Sequence, residues 1–203
     1  MQDEMIFQRW EGSELEVFIV LTDTGTLFTK LIRLFTRQPL NHASISFTKE
    51  LDTTYSFGRK RPNNPFIGGF VKEDMHGKLF KNAACAIYSC SVSECEYQQM
   101  RQLVEQIEQH QKKYKYNFIG LFGVLINKKL RTRKAFFCSE FVATILNAGG
   151  ISINRKPCSL IKPNDFRECQ EFQLLFQGKL KKYPELRWDR GTGSLSHLVL
   201  EGQ

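Results

Sequence analysis

The amino-acid sequence predicts a single α+β domain. Three observations carry that prediction: short β-rich runs concentrated early in the chain, three amphipathic stretches at helical spacing, and no internal repeat or linker. At 203 residues the chain fits one domain with a substantial core. Its 41% hydrophobic and 25% charged residues are those of an ordinary globular protein and exclude a disordered or collagen-like chain.

The elements follow in order. LEVFIVLT, residues 15–22, is short, apolar and β-branched, and reads as a buried strand. After it, Leu27, Phe28, Leu31, Ile32 and Phe35 fall on one helical stripe, with Lys30, Arg33 and Arg37 outside it and Pro39 just beyond. HASISF (42–47) and YSFG (55–58), joined by polar TKELDTT, read as a hairpin. NNPFIGGF reads as a glycine-rich turn. A further strand then places Ala84, Ala86 and Tyr88 on one face and Cys85, Ile87 and Ser89 on the other.

Ser93 and Glu96 have capping-box spacing ahead of a helix whose apolar stripe is Met100, Leu103, Val104 and Ile107. FIGLFGVLI, residues 118–126, fits a short helix or a packed loop equally well. From about Cys138 a helix turns Phe141, Val142, Ile145 and Leu146 toward the core and stops at Gly149 and Gly150. IKPNDFRECQEF suggests a short helix with Asn164 near its start, and QLLFQGKLKKY a late strand or hairpin arm.

The net charge of +8 comes in bursts such as FGRKRP, HQKKYKY and INKKLRTRK. Such bursts ordinarily form a solvated surface, although they also suit an anionic partner. No recognised nucleic-acid-binding motif accompanies them, so no nucleic-acid partner is expected. The acidic, polar N-terminus lacks the features of a secretory signal, and no run approaches the roughly 20 apolar residues of a spanning helix, so a cytoplasmic location is expected. The six cysteines show no C-x-x-C pair and no histidines at zinc-ligand spacing. Six free thiols, with no metal and no cofactor, are expected.

One of those thiols is placed for chemistry. A helix N-terminus stabilises a thiolate through its unpaired N–H groups and dipole, and Cys138 stands where that end is predicted. A cysteine nucleophile also needs a base, normally histidine. His110 lies in a polar helical stretch, His76 in a loop and His197 in a Gly/Ser-rich tail, whereas His42 opens a core strand. His42 is the best candidate. By local pattern alone, packing is the stronger reading of Cys138, since cysteine is among the most often buried residue types.

NHASISF followed much later by FFCSEFVATIL resembles the circularly permuted branch of the papain-like superfamily, which includes permuted NlpC-type amidases and the lecithin:retinol acyltransferase group. In ordinary papain-like chains the cysteine helix precedes the histidine strand; here histidine comes first, as in the permuted branch. LEVFIVLTDTG resembles the family's opening strand and loop, and Tyr116-Asn117 resembles a Tyr-Asp pair found before the cysteine. YSFGRK and NPFIGGF also resemble segments of bacterial proteins. The family resemblance covers about residues 15–163. It implies an antiparallel sheet packed against a helix that carries Cys138 at its N-terminus, within one permuted papain-like domain spanning 1–203, with an N-terminal arm and a C-terminal extension.

The resemblance also implies Cys138 as nucleophile, His42 as base and a third polar residue on the strand after the histidine strand, which matching the hairpin assigns to Ser56. Asp23 and Asn117 are alternatives for that third role. The implied activity is a cysteine-dependent amidase or peptidase working through an acyl-enzyme on a small peptide, amide or acyl substrate. Arg59, Lys60 and Arg61 follow the second hairpin strand and suit a substrate carboxylate; Arg59, Arg61 and Asn117 are the candidate substrate-binding residues. Two rivals stay open. One is a catalytically silent module binding an acidic ligand, for which a clear His, Asn or Glu in the third position would be the counter-evidence. The other is a lipid acyltransferase contacting a membrane surface through the helix Leu27–Phe35. The oligomeric state does not follow from the sequence.

Overall fold

The computed structural model describes residues 15–23, 39–61, 64–117 and 135–186. In chain order the elements are β1 (Leu15–Asp23), β2 (His42–Ser46), β3 (Thr54–Arg61), β4 (Asn64–Glu73), β5 (Ala84–Val92), α1 (Glu94–Gln109), β6 (Lys115–Tyr116), β7 (Ala135–Phe136), α2 (Cys138–Ala148) and β8 (Gln173–Lys179), with short 3₁₀ turns between several of them. Six strands form one sheet in the order β4-β3-β2-β1-β5-β8, with every neighbouring pair antiparallel. The short β6 and β7 pair separately and in parallel.

The sheet is buried on both faces. On one, Val17, Ile19 and Leu21 of β1 join Ala43 and Ile45 of β2, Tyr55 and Phe57 of β3, and Ala86 and Tyr88 of β5. The helices cover this face with Met100, Val104 and Ile107 of α1 and Phe141, Val142, Ile145 and Leu146 of α2. On the other face Phe18, Val20, Cys85 and Ile87 pack against Leu51, Met75, Phe80 and Leu180. The period-two split expected for β5 is therefore observed, and so are the helical stripes of α1 and α2.

Two further signals in the sequence act as expected. Ser93 N–H donates to Glu96 Oε2 at 2.8 Å while Ser93 Oγ accepts from Glu96 N–H at 3.4 Å, which closes the capping box of α1. IKPNDFRECQEF forms a 3₁₀ turn over Pro163–Glu168, and the late strand is β8 at the sheet edge.

NNPFIGGF is not a turn. It opens β4, a ten-residue strand that continues through Phe70 to Glu73 and pairs with β3 from Thr54↔Glu73 to Arg61↔Asn64. Its glycines answer to close approach: a Cβ on Gly68 would lie 2.8 Å from both Cβ and Cγ of Tyr116. A strand glycine that leaves room for another segment carries the same sequence signal as a turn glycine. The expected helix Leu27–Phe35 and the segment 118–126 lie outside the described residues. Among the described residues no helix is long and apolar enough to cross a membrane, and all six cysteines are unpaired.

Candidate active site

Cys138 is the first residue of α2. Phe137, in extended conformation, is the N-cap, and its carbonyl accepts from Phe141 N–H at 3.0 Å. The N-cap side chain is apolar and makes no capping bond. The capping is done from inside the helix by Glu140, whose carboxylate accepts from Phe137 N–H and, at 3.5 Å, from Asn117 Nδ2. Burial raises the Glu140 pKa and these two bonds oppose the rise. Ser139 Oγ donates to Ile161 O at 2.7 Å and anchors the same turn from the other side.

α2 lies across β2 and β3 on the helix-covered face and brings its first turn to the start of β2. There the Cys138 thiol reaches Asn41 O at 4.0 Å, and Cys138 is one of the groups that raise the pKa of the His42 ring. Cys138 is 6% exposed.

His42 Nε2 lies 2.6 Å from Glu73 Oε1, and the second carboxylate oxygen, Oε2, accepts from Ser44 Oγ at 2.5 Å. With Nε2 engaged by Glu73, Nδ1 is the ring nitrogen left for Cys138. By strand register, His42 and Ser44 of β2, Ser56 and Gly58 of β3, and Val71 and Glu73 of β4 alternate onto one face, opposite the helices. The carboxylate therefore comes from one face of the sheet and the cysteine helix from the other. The first residue of β2 is where both can reach.

β3 carries small residues beneath the contact. Gly58 is one: a Cβ there would sit in ordinary van der Waals contact, 3.5 Å from His42 Cε1 and 3.8 Å from Glu73 Oε1. Ser56 is the other, its hydroxyl turned to the backbone and donating to Ala43 O at 2.8 Å.

The His42 and Glu73 side chains are 17% and 9% exposed. Burial by itself depresses the His42 pKa. The Glu73 charge, the hydrogen bonds to Cys138 and Glu73 and the Cys138 charge outweigh it, and the imidazole titrates well above its usual range. Thr22, the β1 partner of His42, is fully buried, and its hydroxyl has no hydrogen-bond partner among the described residues.

Of the residues singled out from the sequence, Cys138 and His42 are brought together. Ser56 is not with them: it bonds the β2 backbone, and Glu73, one strand further out, is the residue on the imidazole. Asn117 is 3% exposed and ties the approach to α2, with its N–H on Phe136 O at 2.8 Å and its side chain on Glu140, so it is a buried strut rather than a surface open to substrate. Arg59, Lys60 and Arg61 lie on β3 by backbone, and their side chains fall outside the described residues. Asp23 closes β1 opposite Ala84. Sequence reasoning missed Glu73 and Ser44. The signal that could have found Glu73 was the hairpin-like RPNN between YSFG and GGFVKE, which makes a strand of the second stretch.

A cleft of about 570 Å³ lies past the other end of α2, lined by Ser91, Glu96, Ile151 and Gln173 among others, and neither Cys138 nor His42 borders it. Compared with known proteins, the chain matches no family model, no curated protein and no solved structure.

Proposed function

We propose that the chain is a cysteine hydrolase of the permuted papain-like type, an amidase or peptidase whose catalytic group is Cys138–His42–Glu73. The observation that carries this reading is the imidazole held between a helix-start thiol and a buried carboxylate. A clear His, Asn or Glu as the third member favours an enzyme over a silent module of the same fold, and here a carboxylate reaches the imidazole from one strand further out than expected. Glu73 supplies it, with a full charge to stabilise imidazolium where serine would offer only a dipole.

On this reading the proton of the Cys138 thiol is already held on His42 Nδ1, as an ion pair backed by Glu73, and Cys138 Sγ attacks the substrate carbonyl carbon. The carbonyl π pair moves to oxygen, and the oxyanion meets the free N–H groups of the first turn of α2. Collapse expels the amine or alcohol, which leaves with the proton from His42. A thioester on Cys138 remains. His42 then deprotonates a water, hydroxide attacks the thioester, and the acid and the free thiol are released. Glu73 holds the imidazole's orientation throughout and balances its positive charge.

The test is to incubate the protein with a panel of activated esters and peptide amides, quench in acid and map acyl adducts by mass spectrometry. An acyl group on Cys138 that is absent in His42→Ala and reduced in Glu73→Gln is the expected result. A panel that leaves Cys138 unmodified, or modified regardless of His42, overturns the reading.

A further inference from the structure

Glu73 must keep one carboxylate oxygen on His42 from two strands away. A glutamate has three rotatable side-chain torsions and loses much of its rotamer freedom when fixed. Something has to hold it, and β3, the strand it crosses, does not: Ser56 is turned to the backbone and Gly58 has no side chain. The hold comes from β2 itself. Ser44, fully buried and two residues after His42, donates its hydroxyl to Glu73 Oε2 while His42 Nε2 engages Oε1. One strand thus presents two groups, one to each oxygen of the same carboxylate.

We infer that Ser44 is a positioning residue for the catalytic group, acting through Glu73 to hold the imidazole toward Cys138. This rests on the reading of Cys138–His42–Glu73 as the reacting set. A hydroxyl donor to a largely buried carboxylate favours its ionised form and fixes its plane. With Ser44 removed, Oε2 loses that partner in a site where 9% of the side chain meets solvent, and Glu73 swings toward water. The imidazole then loses part of the charge that sustains it. The titratable groups acting on His42 are Glu73 from β4 and Cys138 from α2, so the effect of Ser44 must pass through the first of these.

The experiment is an NMR titration of the His42 ring, assigned by its loss in His42→Ala, combined with the pH profile of Cys138 alkylation by iodoacetamide. It is run on wild type, Ser44→Ala, Glu73→Gln and Ser44→Ala/Glu73→Gln. In Ser44→Ala the His42 pKa is expected to fall by about one pH unit, with the pH profile of alkylation moving in step. In the Glu73→Gln background the same substitution is expected to add nothing, because its route is gone.

A purely structural serine would lower the melting temperature and leave both pH profiles in place, which overturns the inference; so does a rise in the His42 pKa. If Glu73→Gln shifts the profiles and Ser44→Ala does not, the inference about Ser44 fails and the catalytic reading stands. If neither substitution moves them, both fail together. Ser44→Cys keeps the side-chain volume with a weaker donor and is expected to give a shift between wild type and Ser44→Ala, so it provides the same decision if the alanine variant is unstable.

Discussion

Glu73 Oε1 lies 2.6 Å from His42 Nε2 although 31 residues separate the two in sequence and β3 lies between their strands in the sheet. This contact places a negative charge behind the imidazole, and its consequences can be measured residue by residue.

Replacing Glu73 by glutamine keeps the shape and removes the charge. The rate of acylation at Cys138 should fall about 10²-fold, within the span usual for general acid–base groups. Ser56→Ala should leave that rate within a factor of about two while costing about 1 kcal/mol of stability, the loss of one buried hydroxyl-to-backbone bond. Parallel kinetics and urea melts of the two variants separate the roles, and an equal rate loss in both would return Ser56 to the site.

The cysteines should differ sharply toward iodoacetamide. Burial pushes the Cys85 thiol up to about 12 and those of Cys90 and Cys169 up to about 11, so at neutral pH these three remain neutral and unlabelled. Cys138 should label, and its labelling should drop at least tenfold in His42→Ala. Exposed Cys95 serves as the internal reference, since nothing in the site touches it. Peptide mapping over a time course reads all six together.

Stability should depend on pH through His42. Its folded pKa is raised above the unfolded value of about 6.5, so the native state holds the proton more tightly than the unfolded chain does. The contribution is complete below about pH 6.5 and is lost as pH rises through the raised folded value. Wild type should therefore lose stability over that interval relative to His42→Gln. Chemical melts of the two proteins across neutral and mildly alkaline pH give the comparison, and parallel curves would contradict it.

Thr22 offers a test with the opposite sign. Its buried hydroxyl has no partner among the described residues, so Thr22→Val removes a desolvated polar group at nearly constant volume. A gain of about 1 kcal/mol is expected, seen as a rise in melting temperature. A loss would mean that the hydroxyl is used, beside His42, by something that binds there.

Much of the frame was readable from the chain. β1 shows itself by a β-branched apolar run, β2 by a hairpin pattern, β5 by two-residue alternation, and α1 and α2 by stripes and caps, because each buries one face against the same core. Cys138 and His42 were legible for the same reason: each begins an element whose boundary the sequence marks. Glu73 was hidden by Gly68 and Gly69, which suggest a turn but lie within a strand on which Tyr116 packs closely. Ser44 was hidden differently. Alternation puts it on the face of β2 away from the helices, and only the carboxylate arriving from β4 shows what it does there.

The order of strands in the sheet bears on how the protein comes into being. Asn41 and Cys138 touch across 97 residues of chain, and Glu73 reaches His42 only once β3 is seated between their strands. No local segment contains even two members of the reacting set. Loop-closure entropy must be met before such distant contacts return anything, so Cys138, His42 and Glu73 meet late in folding. On the proposed reading, a nascent or partly folded chain is thereby kept from reacting through Cys138, and its chemistry is withheld until the whole sheet has formed.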